Sequence, residues 1–376
     1  VYMNFSIQTE VLLNNLLISQ KALSTKTPAP YLQGIKLEVN ENELVLLTSN
    51  SDISIKLSIK DESLNIESTG EILIPGRVFV DFIKKLDKGI VEFSVVDNNV
   101  LKIHSHNTDL SLNLLNVDDY PEINFYLNDL PIKLESKIMK SVIRQTTFAA
   151  SSVENRPILT GVNIRVENDK LIAIATDSFR LSQKKIDIQK NFEDMNVVIP
   201  SKSLDELSKV LEMDLDEILI HLNSKSIVFE YGNILFQSRL LEGNFPETSR
   251  LIPVEFPIIL KFKLDDLAIA VERASLLSIK DNYNSIVKLS LKPNDEVEIT
   301  SNSPEIGKVV EEIDPIEKVS TTPIKIAFSS KYFLDALKTF NSSEVYVKFT
   351  GEIRPFIIEG TDDQGLIQLI LPVRTE

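Results

Sequence analysis

The chain has 376 residues, 43% apolar and 25% charged, a globular balance with more chain than one hydrophobic core usually holds. It contains no cysteine, which excludes a disulfide framework, thiolate zinc sites and a cysteine nucleophile and fits a reducing interior. The net charge of −15 argues against a general nucleic-acid binder, and no apolar run reaches the roughly 18 residues that cross a bilayer. No signal-peptide pattern opens the sequence, and Met3, after Val1 and Tyr2, is expected to be the natural start.

Taken in order, helical spacing of apolar residues predicts helices over 7–18, 78–86, 134–149, 204–211, 264–277 and 332–340. Leu134, Ile138 and Val142 mark the third. Strand-rich sequence follows every helix, as in Ile53 to Ile59, where Ile, Ile, Leu and Ile alternate with polar residues. Two signals recur. Ile74-Pro75-Gly76-Arg77, Ile199-Pro200-Ser201-Lys202 and Ala327-Phe328-Ser329-Ser330-Lys331 each open a helix, 125 and 129 residues apart. Thr48-Ser49-Asn50-Ser51, Thr176-Asp177-Ser178 and Thr300-Ser301-Asn302-Ser303 each follow an apolar strand, 127 and 125 residues apart, and short polar residues of this kind turn a chain back.

The chain therefore reads as α+β, with three pseudo-repeats of about 125 residues, each having two helices on antiparallel sheets. Domains are expected at 1–128, 129–254 and 255–376, separated by Asn128-Asp129-Leu130-Pro131 and by the Pro-bearing 252–257 stretch. Three units are few for a solenoid and no polar capping repeat is visible, so a ring closed by self-association is the better reading. The helical segments with their flanks, 7–21, 76–88, 135–150, 202–213, 264–280 and 330–341, carry a net +3 and the remainder −18, a mildly basic surface on an acidic body.

Only the middle turn continues with an aromatic and an arginine, Phe179-Arg180, at an exposed bend. An enzyme's inventory is otherwise missing. No phosphate-binding glycine loop, dinucleotide fingerprint or nucleophile elbow occurs. His104 and His106 are expected to alternate on one strand face without a third metal ligand, and His221 stands alone. The acidic pairs Asp118-Asp119, Glu311-Glu312 and Asp362-Asp363 are expected in solvated turns or charged stretches. Asp118-Asp119-Tyr120-Pro121 lies 125 residues before Gly243-Asn244-Phe245-Pro246 and is expected to be a structural corner.

These features together resemble the bacterial replicative sliding clamps, the beta subunits of DNA polymerase III. The resemblance spans the whole chain and is strongest at Ala175 to Leu181, Glu242 to Pro253, Val198 to Lys202 and Leu371 to Arg374. It implies three DNA-clamp domains and a head-to-tail homodimer whose ring encircles duplex DNA without reading its sequence. The implied function is non-enzymatic and cytoplasmic, with no cofactor, metal or membrane. It implies that the polymerase III alpha subunit, the clamp loader and other clamp-binding-motif proteins dock by short peptides.

The implied peptide pocket comprises Leu159, Thr176, Phe179, Arg180, Leu181, Pro246, Arg250, Leu251, Leu371, Pro372, Val373 and Arg374. Ser178-Phe179 stand where the family usually has Gly-His, and Thr375-Glu376 extend past the terminal arginine. Arg180→Ala is expected to weaken a Gln-Leu-x-Leu-Phe-type peptide while leaving melting unchanged. Candidate DNA contacts are Lys26, Arg77, Lys84, Lys140, Arg144, Arg156 and Lys202, on or beside the inner helices. Leu110 and Leu112 on an edge strand, with Leu276 and Leu277 beyond a helix's core stripe, need cover and mark the dimer interface. Two competing readings are a peptide-binding scaffold that ignores DNA and a hydrolase using a carboxylate pair.

Overall fold

The computed structural model describes residues 3–24, 29–97, 99–189, 194–211, 217–277, 280–281, 284–319 and 322–374. Among the described residues six α-helices form: α1 (Thr9–Ser19), α2 (Gly76–Ile83), α3 (Ser136–Thr146), α4 (Ser201–Val210), α5 (Leu264–Ser275) and α6 (Ser330–Leu337). All six coincide with predicted helices, but the predicted starts of α1 and α3 are corrected. Ile7 and Leu134 lie on the strands Asn4–Gln8 and Ile132–Glu135, which run into their helices without a turn. An apolar residue just before such a junction mimics a helical stripe, and the stripe of α3 is in fact Met139, Val142 and Ile143.

The strands are antiparallel throughout, and the chain divides into two contact units, residues 1–139 with 206–240 and residues 140–205 with 241–376. In the first unit a five-stranded sheet runs in the order 65–68, 4–8, 90–96, 100–105, 108–113. The rings of Phe5 and Phe93 stack on it with centroids 4.6 Å apart, and Phe79 of α2 meets Phe93 edge-on at 6.1 Å. The unit's eight-stranded sheet joins two repeats. Strand Ile53–Ile59 pairs with Ile234–Arg239, Leu57 opposite Ile234 and Ile53 opposite Ser238.

The second unit repeats that device. Its nine-stranded sheet joins strand Arg180–Asp187 to Leu366–Ile370, with Arg180 opposite Ile370 and Leu181 opposite Leu369. Gly365 opens the second of these strands at φ 74, and a β-carbon there would collide with the Lys185 carbonyl. Phe328, Phe333 and Phe356 form the aromatic centre, with Phe328 and Phe333 stacked at 4.7 Å. Helix ends are satisfied from the sheets. Thr48 donates to the Ser19 carbonyl at 2.7 Å, Ser182 to the Gln145 carbonyl at 2.6 Å, and Ser301 to the Ala274 carbonyl.

The repeated turn is real in two copies. Asn50 Oδ1 accepts from the Asp52 and Ile53 amides at 2.8 and 2.9 Å, and Asp177 Oδ1 from the Phe179 and Arg180 amides at 2.9 and 3.0 Å. The third copy differs from expectation. Asn302 stays on strand Val297–Ser303, opposite Lys308, and the chain turns later, where Ser303 Oγ accepts from the Ile306 amide. Pro304 makes the difference, since it restricts the residue before it to extended backbone.

Two polar residues, His106 and Asp363, sit differently from the sequence reading, and the lone His221 proves buried. His104 is on strand Val100–Ser105 and bonds Asp109 at 2.7 Å, but His106 lies in the following turn at φ 49 and shares no strand face with it. Asp363 is buried rather than solvated, accepting from the Asn341 and Ser342 amides at 2.9 Å each and the Ser342 hydroxyl at 2.6 Å. His221 is buried. Its Nδ1 accepts from the Asn128 amide at 2.8 Å, so Nε2 carries the proton and donates to Glu230 at 2.9 Å.

Candidate peptide-docking site

The predicted docking residues gather in the second unit around the hairpin 170–187. Thr176 Oγ1 donates to the Arg180 carbonyl at 2.6 Å and accepts from the Ser178 amide at 3.2 Å, closing the turn. Ser178 takes φ 78, a left-handed conformation that suits the glycine the family carries there. The turn lifts Phe179 into solvent, where it is 61% exposed. The Phe179 carbonyl accepts from the Leu371 amide at 2.9 Å, and the Val373 amide donates to the Ala327 carbonyl at 2.8 Å, so the C-terminal segment is pinned beside the hairpin.

Arg180 and Leu181 are consecutive on a strand and face opposite ways. Leu181 packs with Ile174, Ile357 and Leu369 in an apolar cluster capped by Phe245, Ile252 and Phe256. Phe245 belongs to the Gly-Asn-Phe-Pro loop with Pro246, and an added β-carbon on Gly243 would lie 3.9 Å from Ile158, next to buried Leu159. Tyr120 plays the matching part in the first unit, against Leu47 and Leu73, so the expected structural corner holds there.

Arg180 points the other way and is no ordinary surface arginine. Its Nε donates to Asp177 at 3.1 Å and its Nη1 to Asp335 on α6 at 3.0 Å. The guanidinium carbon lies 4.5 Å from the Tyr332 ring centroid and 5.2 Å from that of Phe148. Only 10% of the side chain is exposed. Burial pushes the Asp335 carboxyl up, but hydrogen bonds from Lys331 and Arg180 outweigh it and hold it below the usual carboxylate range. The structure argues against the expectation that Arg180→Ala leaves melting alone, because the truncation would take a charged donor from both Asp177 and Asp335, leaving Asp335 with Lys331 and Asp177 with its two backbone amides. Tyr332 and Asp335 stand some 150 residues from the hairpin, and no local pattern marks them.

Pro246, Leu371, Pro372 and Val373 are half-buried, and Arg374 is exposed. Arg250 and Leu251 line an open groove of about 860 Å3 with Phe256, Arg354 and Pro355. Of the candidate DNA contacts, Arg77, Arg156 and Lys202 are exposed, and Lys84 is exposed 3.7 Å from Asp81. Lys140 is half-buried. Arg144 donates to Asn341 Oδ1 at 2.8 Å and to the Lys338 carbonyl at 3.3 Å. Lys26 lies outside the described residues. Leu110 and Leu112 are half-buried on the edge strand Thr108–Asn113, and Leu276 follows α5 at 79% exposure, with Leu277 half-buried. Among the described residues no three His, Asp or Glu side chains gather to hold a metal, and no helix is long and apolar enough to cross a membrane.

A repeated helix-on-sheet module, joined through shared sheets and with partly exposed apolar residues beside the central hairpin, defines a clamp-type scaffold protein. Family models for the N-terminal, central and C-terminal domains of the DNA polymerase III beta subunit match residues 3–124, 133–247 and 249–374. The beta sliding clamp of Staphylococcus epidermidis is 42% identical over 99% of this chain and all of its own length, and that of Staphylococcus aureus is 41% identical over the same shares. The DNA polymerase sliding clamp of Bacillus subtilis superposes with a TM-score of 0.96 at 40% identity, covering both chains completely. The beta chain of Streptococcus pneumoniae DNA polymerase III does so at 0.95 and 37%, over 99% of this chain and all of its own. The chain belongs to the DNA polymerase III beta subunits, the bacterial sliding clamps.

Proposed function

We propose that the chain acts as a non-catalytic processivity factor in the cytoplasm, a head-to-tail homodimer whose ring encircles duplex DNA. The observation that carries this reading is a pair of free sheet edges. Strands Ile53–Ile59 and Arg180–Asp187 occupy equivalent places in their repeats, and each pairs with the last strand of the following repeat. The third equivalent, Gly307–Glu312, is a sheet edge, and so is Thr108–Asn113, the last strand of the first repeat. Pairing Gly307–Glu312 of one copy with Thr108–Asn113 of another continues the same rule, removes both edges, and draws Leu110, Leu112, Leu276 and Leu277 toward cover. Two such contacts close a ring.

On this reading the domains are 1–128, 129–254 and 255–376. Arg77, Lys84, Lys140, Arg144, Arg156, Lys202 and Lys26 contact phosphates without reading bases. The polymerase III alpha subunit, the clamp loader and other clamp-binding-motif proteins dock by short apolar peptides. Their pocket is drawn from Leu159, Thr176, Phe179 to Leu181, Pro246, Arg250, Leu251 and Leu371 to Arg374. Apolar anchors supply the affinity and the polar rim supplies orientation.

The test is topological. Protein loaded on a nicked circular plasmid should co-elute with it through gel filtration and should be lost when a restriction enzyme opens the circle. Equal retention on circular and linear DNA, or none on either, refutes encirclement.

A further inference from the structure

The groove lined by Arg250 and Arg354 has a charge pattern of its own. Apolar Leu251, Pro253, Phe256, Pro257 and Pro355 line it together with Thr350 and charged side chains, and the segments that build it expose Leu251 at 51%, Ile353 at 69% and Val254 at 91%. Exposed aliphatic side chains on the segments that build one groove mark a contact surface. Arg250 and Arg354 are both exposed, and among the described residues neither has a carboxylate within 4.0 Å or a hydrogen-bond partner. In a chain with 55 acidic residues against 40 basic ones, two unpaired arginines on one apolar groove are a local reversal of charge. One carboxylate, Glu255, also lines it, leaving a local excess of one positive charge.

We propose that this groove reads an acidic residue flanking the apolar core of a docked peptide, and so ranks the partners that compete for the clamp. The inference rests on the docking reading above, because Arg250 and Leu251 belong both to the groove and to the proposed pocket. An aliphatic residue of the flank lies on Leu251 and Pro355, and its aspartate or glutamate accepts from the Arg354 and Arg250 guanidinium groups, a geometry arginine suits better than lysine. The occupant is thus an acidic segment of a partner protein. A nucleic acid would present phosphates without the aliphatic contacts, and the remaining surface, net acidic, would repel it.

The experiment titrates fluorescent peptides into the full-length protein. One carries only a Gln-Leu-x-Leu-Phe-type core. The others add two aspartates, two glutamines or two lysines at its N-terminal or its C-terminal end. At low salt the aspartate peptide should bind about fivefold tighter than the glutamine peptide at one of the two ends, the scale of one or two exposed ion pairs. That ratio should shrink as salt rises. It should fall to one in Arg354→Gln and persist in part in Arg354→Lys. Equal binding of aspartate and glutamine peptides by the wild type at both ends overturns the inference, as does an aspartate preference that Arg354→Gln leaves intact. Failure of the core peptide to bind at all overturns the docking reading instead, so the two failures are distinguishable.

Discussion

Arg180 shows what one side chain contributes. From its place after an exposed turn it is expected to be removable at a stability cost within about 0.5 kcal/mol. In the fold it lies between two rings and donates to Asp177 and Asp335. Arg180→Ala should therefore cost about 2 kcal/mol, the scale of hydrogen bonds to charged groups left unmade, measured as a shift in the urea midpoint. The same change in an Asp335→Asn background should cost less, because the two residues act through one contact. The pH dependence has a definite sign. The Asp335 carboxyl titrates lower in the folded state than in the unfolded chain. Its contribution is fully present above the unfolded value of about 3.9 and is lost as pH falls through the lower folded value. The stability gap between wild type and Arg180→Ala should thus narrow between pH 5 and pH 3, both values being about one unit from that carboxylate range. A gap that is absent at neutral pH would return Arg180 to the surface.

At the scale of elements, edge strands decide how the chain associates. Among the described residues nothing pairs with the outer sides of Thr108–Asn113 and Gly307–Glu312, and exposed edges recruit partners unless something blocks them. Leu276 stands beyond the end of α5 almost fully in solvent, where it adds nothing to the core of its own unit. Leu276→Asp combined with Leu277→Asp should give monomers in sedimentation runs at micromolar protein, with an unchanged melting profile for the separated chain. A full dimer under those conditions would place the interface elsewhere. Helices α2 and α6 are less informative about association than the strands, because each buries its apolar stripe inside its own unit. Phe79, Val80 and Ile83 of α2 and Phe333, Ala336 and Leu337 of α6 are all buried.

For the whole molecule the contrast is between holding DNA by contact and holding it by closure. The net charge of −15 makes direct binding weak. On the proposed reading, the exposed Arg77, Arg156 and Lys202 would make a few phosphate contacts of the kind that exchange rapidly with counterions. A short linear duplex should therefore bind poorly at every salt concentration, while protein loaded on a closed circle should survive a high-salt wash, because closure does not depend on counterion release. Fluorescence anisotropy on the duplex and plasmid pull-down before and after the wash measure the two quantities. Tight duplex binding with a steep salt slope would contradict a clamp held by topology.

The sequence by itself determined the repeat count, the six helices and the two matching Asx turns, because each depends on residues within a few positions of one another. Asn50 and Asp177 need only their own amides two and three residues on. It also placed Thr176, Leu181 and Leu371 near one another, through motifs whose order is specific to a family. What it left open involves partners far apart in the chain. The sheets that join one repeat to the next pair Leu57 with Ile234 and Leu181 with Leu369, and no local period announces such a pairing. The cage around Arg180 draws Phe148 from one separate stretch and Tyr332 and Asp335 from another. Asp363 looks like a surface residue, and His221 has no partner in the sequence, until distant backbone amides are folded against them. Helix, turn and strand follow from short-range sterics and hydrogen bonding. Which edge meets which, and which charge is buried, is decided only when the whole chain competes for the same core.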